Sequence, residues 1–384
     1  MPHRIHTACL ALVVGCLTYA AAQAAPPERD RVPHFAVEPL SSLNFGDRMI
    51  SAVNDKGSAV GAQTTRAGSD IQTTAFFRDK QGNVTTIGDL PGGRTYVGLY
   101  KLNEHDWAVG MSDGGVGRQS SFHAVVWNPR DGLIDLGPSS SADGINDHNQ
   151  VVGYVDSGGP RRAFVWEPGQ GMRTLPVPAG SGTSQASGIN NKGTIVGHTY
   201  TAGESMQHAT LWTKDGRYVD LGELPGGYEE AAAFAVNEKD HVVGYTITEQ
   251  DHRAFFWSRE TGMINLGALP GTTEGSVAHD INDDDWVVGT SRSPGTTAAG
   301  KPFLWTPEWG LIDLNDRLDA ASKDWKLYEA KWVNDKGDIL GIGQLGATYH
   351  VVLLHAHMPE PGAVALLAGG AASLVLRRRR PVTP

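Results

Sequence analysis

The stretch "GINDHNQVVGY", residues 144–154, sets a cluster of polar, turn-prone residues between apolar ones. Such a cluster is either an acidic loop for a metal ion or a bend between two strands. Spacing decides. Asn146 is followed seven residues later by Gly153, and the pattern recurs as Asn54–Gly61, Asn103–Gly110, Asn190–Gly197, Asn237–Gly244, Asn282–Gly289 and Asn334–Gly341. Successive Asn positions lie 49, 43, 44, 47, 45 and 52 residues apart, a period that marks a repeat architecture. The residue before each Asn and the residue before each Gly are always apolar, and most are β-branched, as two strands flanking a bend require. Three residues after each Asn stands Gly57, Asp106, Asn149, Gly193, Asp240, Asp285 or Gly337. These residue types best tolerate a left-handed backbone, so the spacing predicts a type I turn with a bulge, capped by the Asn side-chain oxygen. Even Asp283-Asp284-Asp285 lacks the alternating ligands and distal Glu of a calcium loop. The stretch reads as a bend, with no metal and no cofactor expected.

A second element keeps the same period. Short aromatic strands begin at Ala75, Ala124, Ala163, Ala209, Ala254, Pro302 and Val351, and five of them end in Trp127, Trp166, Trp212, Trp257 and Trp305. After most comes a strand ending Leu-Gly, so a unit reads as aromatic strand, Leu-Gly strand, then Asn hairpin: four short strands. Residues 34–355 number 322, or 46 per repeat over seven repeats. The fold expected is all-β, a seven-bladed β-propeller. After the last hairpin the chain supplies one more aromatic strand, "YHVVLLH". Its pairing with the N-terminal blade is expected to close the ring and spare the protein two exposed sheet edges. Short helices are expected only at the termini, in a signal peptide and a C-terminal anchor.

"HAVVW", "HATLW", "DLGELPGG" and the opening stretch resemble the HAF extracellular repeat, named for its His-Ala-Phe strand opening. The resemblance covers essentially all of 34–355. It implies an exported protein and is nearly silent about activity.

Both ends read as processing signals. Arg4, an apolar run from Ala8 to Ala22 and the small-x-small site Ala22-Gln23-Ala24 predict a signal peptide over 1–24 and a linker over 25–33. The chain's two cysteines, Cys9 and Cys16, lie inside it, with Cys16 either an apolar residue of the signal or an acylated one. At the other end, Gly362 to Leu376 is an apolar run about 22 Å long as a helix, short of the ~30 Å hydrocarbon core. Pro359-Glu360-Pro361, this run and Arg377, Arg378, Arg379 and Arg380 resemble the PEP-CTERM sorting signal of Gram-negative bacteria. That resemblance assigns 356–384 as a sorting and membrane-anchor segment. It implies exosortase-type machinery as a partner, a transient stay in the inner membrane and a final place at the cell surface or in the matrix. Without both ends, Lys+Arg falls from 32 to 27 and Asp+Glu from 42 to 41, leaving the body at −14. A body so acidic repels phosphate backbones, which argues against nucleic acid.

Candidate site residues come from asymmetry. Behind the hairpin tips stand two Trp, Trp107 and Trp286, and the longest repeat adds Trp325, Tyr328 and Trp332. Such side chains either stack on sugar rings or pack across strands. The residues opening the aromatic strands, among them His123, Arg162, His208, Arg253, Lys301 and His350, either form a partly cationic rim or bond within the blades. No nucleophile elbow, zincin or phosphate-loop motif occurs, so no catalytic residue is assigned. The function expected is a non-catalytic, surface-sorted protein that binds or organises extracellular polysaccharide or partner proteins. The alternative is a propeller-type glycosidase or lyase with its acids between Asp313 and Glu329.

Overall fold

Each Asn hairpin folds as its residues dictate. The left-handed positions are all there, from Gly57 at φ 85° and Asp106 at 61° to Gly337 at 83°. Each Asn oxygen caps its own turn: Oδ1 of Asn190 accepts from the backbone N–H of Thr194 at 2.9 Å, and Asn237 and Asn282 do the same. The computed structural model describes residues 32–357 apart from 44–45, 47, 68–69, 94–95, 115–120, 157, 202–205, 226, 249–250, 273–274 and 293–299. The signal peptide, most of the linker, the sorting segment with Pro359, Glu360, Pro361 and Arg377–Arg380, and the expected terminal helices lie outside the described residues.

Seven four-stranded antiparallel sheets form a β-propeller. The chain opens with His34–Ser42 (β1). The first sheet is Arg48–Val53 (β2), Ala59–Ala67 (β3), Asp70–Arg78 (β4) and Val84–Ile87 (β5). The second is Val97–Leu102 (β6), Ala108–Gly114 (β7), Ser121–Asn128 (β8) and Gly132–Pro138 (β9). The third is Ser140–Ile145 (β10), Val151–Val155 (β11), Arg162–Glu167 (β12) and Gly171–Thr174 (β13). The fourth is Ser181–Ile189 (β14), Ile195–Thr201 (β15), Gln207–Trp212 (β16) and Tyr218–Asp220 (β17). The fifth is Gly227–Val236 (β18), Val242–Thr248 (β19), His252–Ser258 (β20) and Gly262–Gly267 (β21). The sixth is Ser276–Ile281 (β22), Val287–Ser291 (β23), Lys301–Thr306 (β24) and Gly310–Asp313 (β25). The seventh joins Trp325–Val333 (β26), Ile339–Leu345 (β27) and Thr348–His357 (β28) to β1, in the order β1-β28-β27-β26.

The order of strands within a sheet differs from the sequence reading. A sheet begins with the strand before the Asn hairpin, so the aromatic strand is third and the Leu-Gly strand outermost. The chain therefore needs an outer strand for its last sheet, and β1 supplies it: His34 stands opposite His357 and Ser42 opposite His350. In the longest repeat a 3-10 turn, Leu314–Arg317, and the residues after it brace β1. Leu314 and Leu318 enter the same core cluster as Phe35, and Ser322 Oγ accepts the Val37 N–H at 2.9 Å.

The core lies between sheets. Trp127 of β8 packs 4.9 Å from Phe77 of β4, and Trp305 of β24 packs 5.3 Å from Phe256 of β20. The aromatic strands thus bury their Trp against the neighbouring sheet, where flat side chains fill the wedge. A cluster containing Ile50, Phe76, Leu340 and Val351 joins the first sheet to the seventh.

Candidate functional site

The invariant Asn does more than cap a turn. Its Nδ2 donates to the backbone oxygen of the next repeat's Asn: Asn54 to Asn103, Asn103 to Asn146, Asn146 to Asn190, Asn190 to Asn237, Asn237 to Asn282 and Asn282 to Asn334, all at 2.8–3.0 Å. The next N–H does likewise, donating from Asp55 to Glu104 Oε1 and from Glu104 to Asp147 Oδ1, and so on to Asp283 and Asp335. Asn334 instead donates to its own Asp338, while Lys336 Nζ reaches the Asp55 oxygen. One face of the propeller is therefore a structural girdle. Its acids hold backbone rather than ligands, and among the described residues no group of three or more His, Cys, Asp or Glu converges on a metal position.

The nominated aromatic residues do not come together. Trp107 and Trp286 sit on the girdle face in the second and sixth sheets. Trp107 packs partly buried against a core cluster, and Trp286 lies 5.7 Å from Trp309, edge-on. Trp325 meets His350 edge-on at 5.3 Å. Tyr328 is buried, its hydroxyl donating to Gln344 Oε1 at 2.7 Å, and Trp332 packs against the cluster between the first and seventh sheets. The strand-opening residues are partnered too: His123 with Asp135 at 2.9 Å, Arg253 with Asp251 at 2.9 Å, Arg162 with the Gly182 oxygen and Lys301 with the Pro270 oxygen. Of the acids between Asp313 and Glu329, Asp313 caps the 3-10 turn, Asp319 caps the turn to Ser322, and Glu329 pairs with Lys331 at 2.9 Å.

Chemistry gathers at positions the sequence reading passed over. Each innermost strand carries a register shift beside the repeat's Gly, at Ser51, Tyr100, Asp143, Ser187, Phe234, His279 and Lys331. A Cβ on the Gly opposite would stand 1.9–2.2 Å from an inner-strand carbonyl oxygen in every repeat, which is why each is Gly. The bulge aims these seven side chains, of six kinds, toward the axis. Phe234 stacks on His279 at 6.4 Å, and Lys101 in the second sheet is felt by Asp280 in the sixth. The repeat conceals this asymmetry, but the triplets before Asn (SAV, YKL, DGI, SGI, FAV, HDI, KWV) carry it in plain view.

The channel opens, on the face away from the girdle, into a cavity of about 640 Å³ across the third to fifth sheets. Arg161, Gln185, His198, Tyr200, Phe234 and Tyr245 are among its lining residues. Asp143 accepts from Ser141 Oγ at 2.7 Å and from Gln185 Nε2 at 3.0 Å. Burial pushes its carboxyl up, against those hydrogen bonds and the Arg161 charge. Gln185, so held, turns its Oε1 toward Arg161 at 3.5 Å. The Arg161 guanidinium lies 3.9 Å above the Tyr154 ring. Burial first, and then Arg161, holds the His198 imidazole down to about 4, so it is neutral at ordinary pH. Its Nδ1 is buried with no hydrogen-bond partner among the described residues.

No family model matches the chain, and no curated protein sequence matches it. Among solved structures it is similar to virginiamycin B lyase from Staphylococcus aureus, with a TM-score of 0.51 and 11% identity over 84% of this chain and 99% of that one. It is also similar to Pyrococcus horikoshii acylaminoacyl peptidase (TM-score 0.45, 9% identity, 89% of this chain and 55% of that one). A third likeness is to TolB from Acinetobacter baumannii (TM-score 0.42, 9% identity, 79% of this chain and 81% of that one). At such identity the likeness to the lyase speaks for the propeller fold alone.

Proposed function

We propose that the chain is an exported, surface-sorted, non-catalytic protein that binds or organises extracellular polysaccharide or partner proteins. In this reading the ring is closed by β1 on β28, and the tail from Pro359 to Arg380 is what exosortase-type machinery handles. One observation supports it above the others. Charged, amide and aromatic side chains, among them Arg161, Gln185, Tyr200, Phe234 and Tyr245, gather at the channel mouth, while the opposite face is spent on a repeating clamp. The start of β1 at His34 and the end of β28 at His357 stand opposite each other on the clamp face. An anchor following His357 would therefore turn the channel mouth away from the membrane. The test is a glycan panel applied to the exported body, with reducing-end release measured alongside. Binding without release is expected; release of reducing ends would overturn the non-catalytic reading in favour of a polysaccharide-active enzyme. No retained ligand on the panel, and no captured surface protein, would overturn the binding reading itself.

A further inference from the structure

We propose that the channel mouth between the third, fourth and fifth sheets is a binding site for a sugar ring bearing one carboxylate, a uronic acid residue, held by Arg161 against the faces of Tyr200 and Tyr245. The proposal rests on the polysaccharide-binding reading above and deepens it.

The argument starts from Arg161. A guanidinium offers five donors in one plane, and its natural complement is a carboxylate that takes two of them side by side. Arg161 has no carboxylate at ion-pairing distance among the described residues; its polar side-chain contact is the 3.5 Å approach to Gln185 Oε1. It is nevertheless fixed. Tyr154 lies beneath it, and the chain Ser141–Asp143–Gln185 sets the amide that faces it. A fixed cation with its donor edge at a cavity wall is arranged for an anion from outside. By contrast, Arg253 on the same face already holds Asp251 at 2.9 Å.

The rest of the wall suits a ring with hydroxyls. Tyr200, edge-on to His198 at 5.6 Å, and Tyr245, 5.5 Å from Phe234, both line the cavity and give it aromatic walls. Gln185, Gln207 and Thr183 line the same cavity, and their amide and hydroxyl groups exchange hydrogen bonds with hydroxyls. The cavity is the size of ordinary small-ligand pockets, roughly 300–1,000 Å³. Charge sets a limit on the ligand. The acidic body repels a dense polyanion, but at physiological salt that repulsion is screened beyond about 8 Å. Asp156 also lines the cavity, so a single uronate set among neutral sugars meets the Arg161 charge with far less repulsion than a dense polyanion would.

The test titrates the purified full-length body with methyl glucuronide, its neutral uronamide and methyl glucoside, read by saturation-transfer NMR and calorimetry. The glucuronide is expected to bind at least about tenfold more tightly than either neutral probe, the contrast typical of a charge-assisted pair. Arg161→Met, which keeps the stem over Tyr154, is expected to erase that difference, while Arg253→Met leaves it intact. Equal binding of the three probes, no binding of any, or a preference that survives Arg161→Met would overturn the site. The probe comparison on the unaltered protein decides even if the variant misfolds. Panel glycans bound equally well by Arg161→Met would remove this site while leaving the general binding role standing. Glucuronide bound at Arg161 with no polymer retained would do the reverse.

Discussion

Asn190 shows what one repeated residue does. Its oxygen holds its own turn through the Thr194 N–H, and its nitrogen holds the next sheet through the Asn237 oxygen at 2.8 Å and Asp240 at 2.9 Å. Asn190→Ala leaves these buried partners unsatisfied and is expected to destabilise the protein by about 2–3 kcal/mol. Asn334→Ala, which breaks the turn but no bridge to Asn54, should lose roughly 1 kcal/mol less, by the same reckoning. Urea unfolding of the two variants checks the order; equal losses would refute the bridging role. Gly197 supplies the second case. Its Cβ would stand 2.0 Å from the Gln185 oxygen, so Gly197→Ala must push the inner strand off its bulge, at about 3 kcal/mol. The same shift would disturb Gln185, so any ligand held at the channel mouth should bind more weakly in that variant. These residues were legible from sequence because turn chemistry is local: Asn, a left-handed position and a Gly at fixed spacing state their geometry within eight residues.

Strands were legible as elements, but their roles were not. The aromatic strand, strong in pattern, looks like the start of a unit, whereas the inner strand with its variable triplet looks like noise. Which strand faces the axis is settled by packing between sheets, and no short-range signal reports it. The same holds for Trp325 and Tyr328, conspicuous in sequence yet absorbed by His350 and Gln344. The joint of β1 with β28 has a pH signature of its own. Burial pulls the His355 imidazole down, but hydrogen bonds to Glu38 of β1 at 2.9 Å and Asp338 at 3.1 Å outweigh it and raise its pKa above the usual 6.5. The contribution of the protonated ring is therefore fully present below about pH 6.5 and lost as pH rises through the higher folded value. Melting temperature is expected to fall across that window, and Glu38→Gln should flatten the fall. A slope unchanged in Glu38→Gln would exclude this pair as its source.

At the scale of the molecule, six pairs of successive sheets carry the Asn bridge, whereas the first and seventh sheets share the Lys336 contact to the Asp55 oxygen and the cluster of Ile50, Phe76, Leu340 and Val351, and the last sheet borrows strand β1. Deleting 349–355 removes the strand on which β1 pairs and is expected to abolish a single cooperative unfolding transition, followed by circular dichroism on heating. A truncated body that melts as sharply as the intact one would show that the joint is dispensable. The overall count of seven and the all-β class followed from period alone, since 46 residues hold four short strands and little else. The arrangement of the last sheet also has a mechanical consequence. Because β1 and β28 are antiparallel and their free ends emerge side by side, tension applied between the two tails parts them like a zipper, one rung at a time. A body held by a single tail never loads that line of bonds, so drag from outside is borne by the tether rather than by the ring.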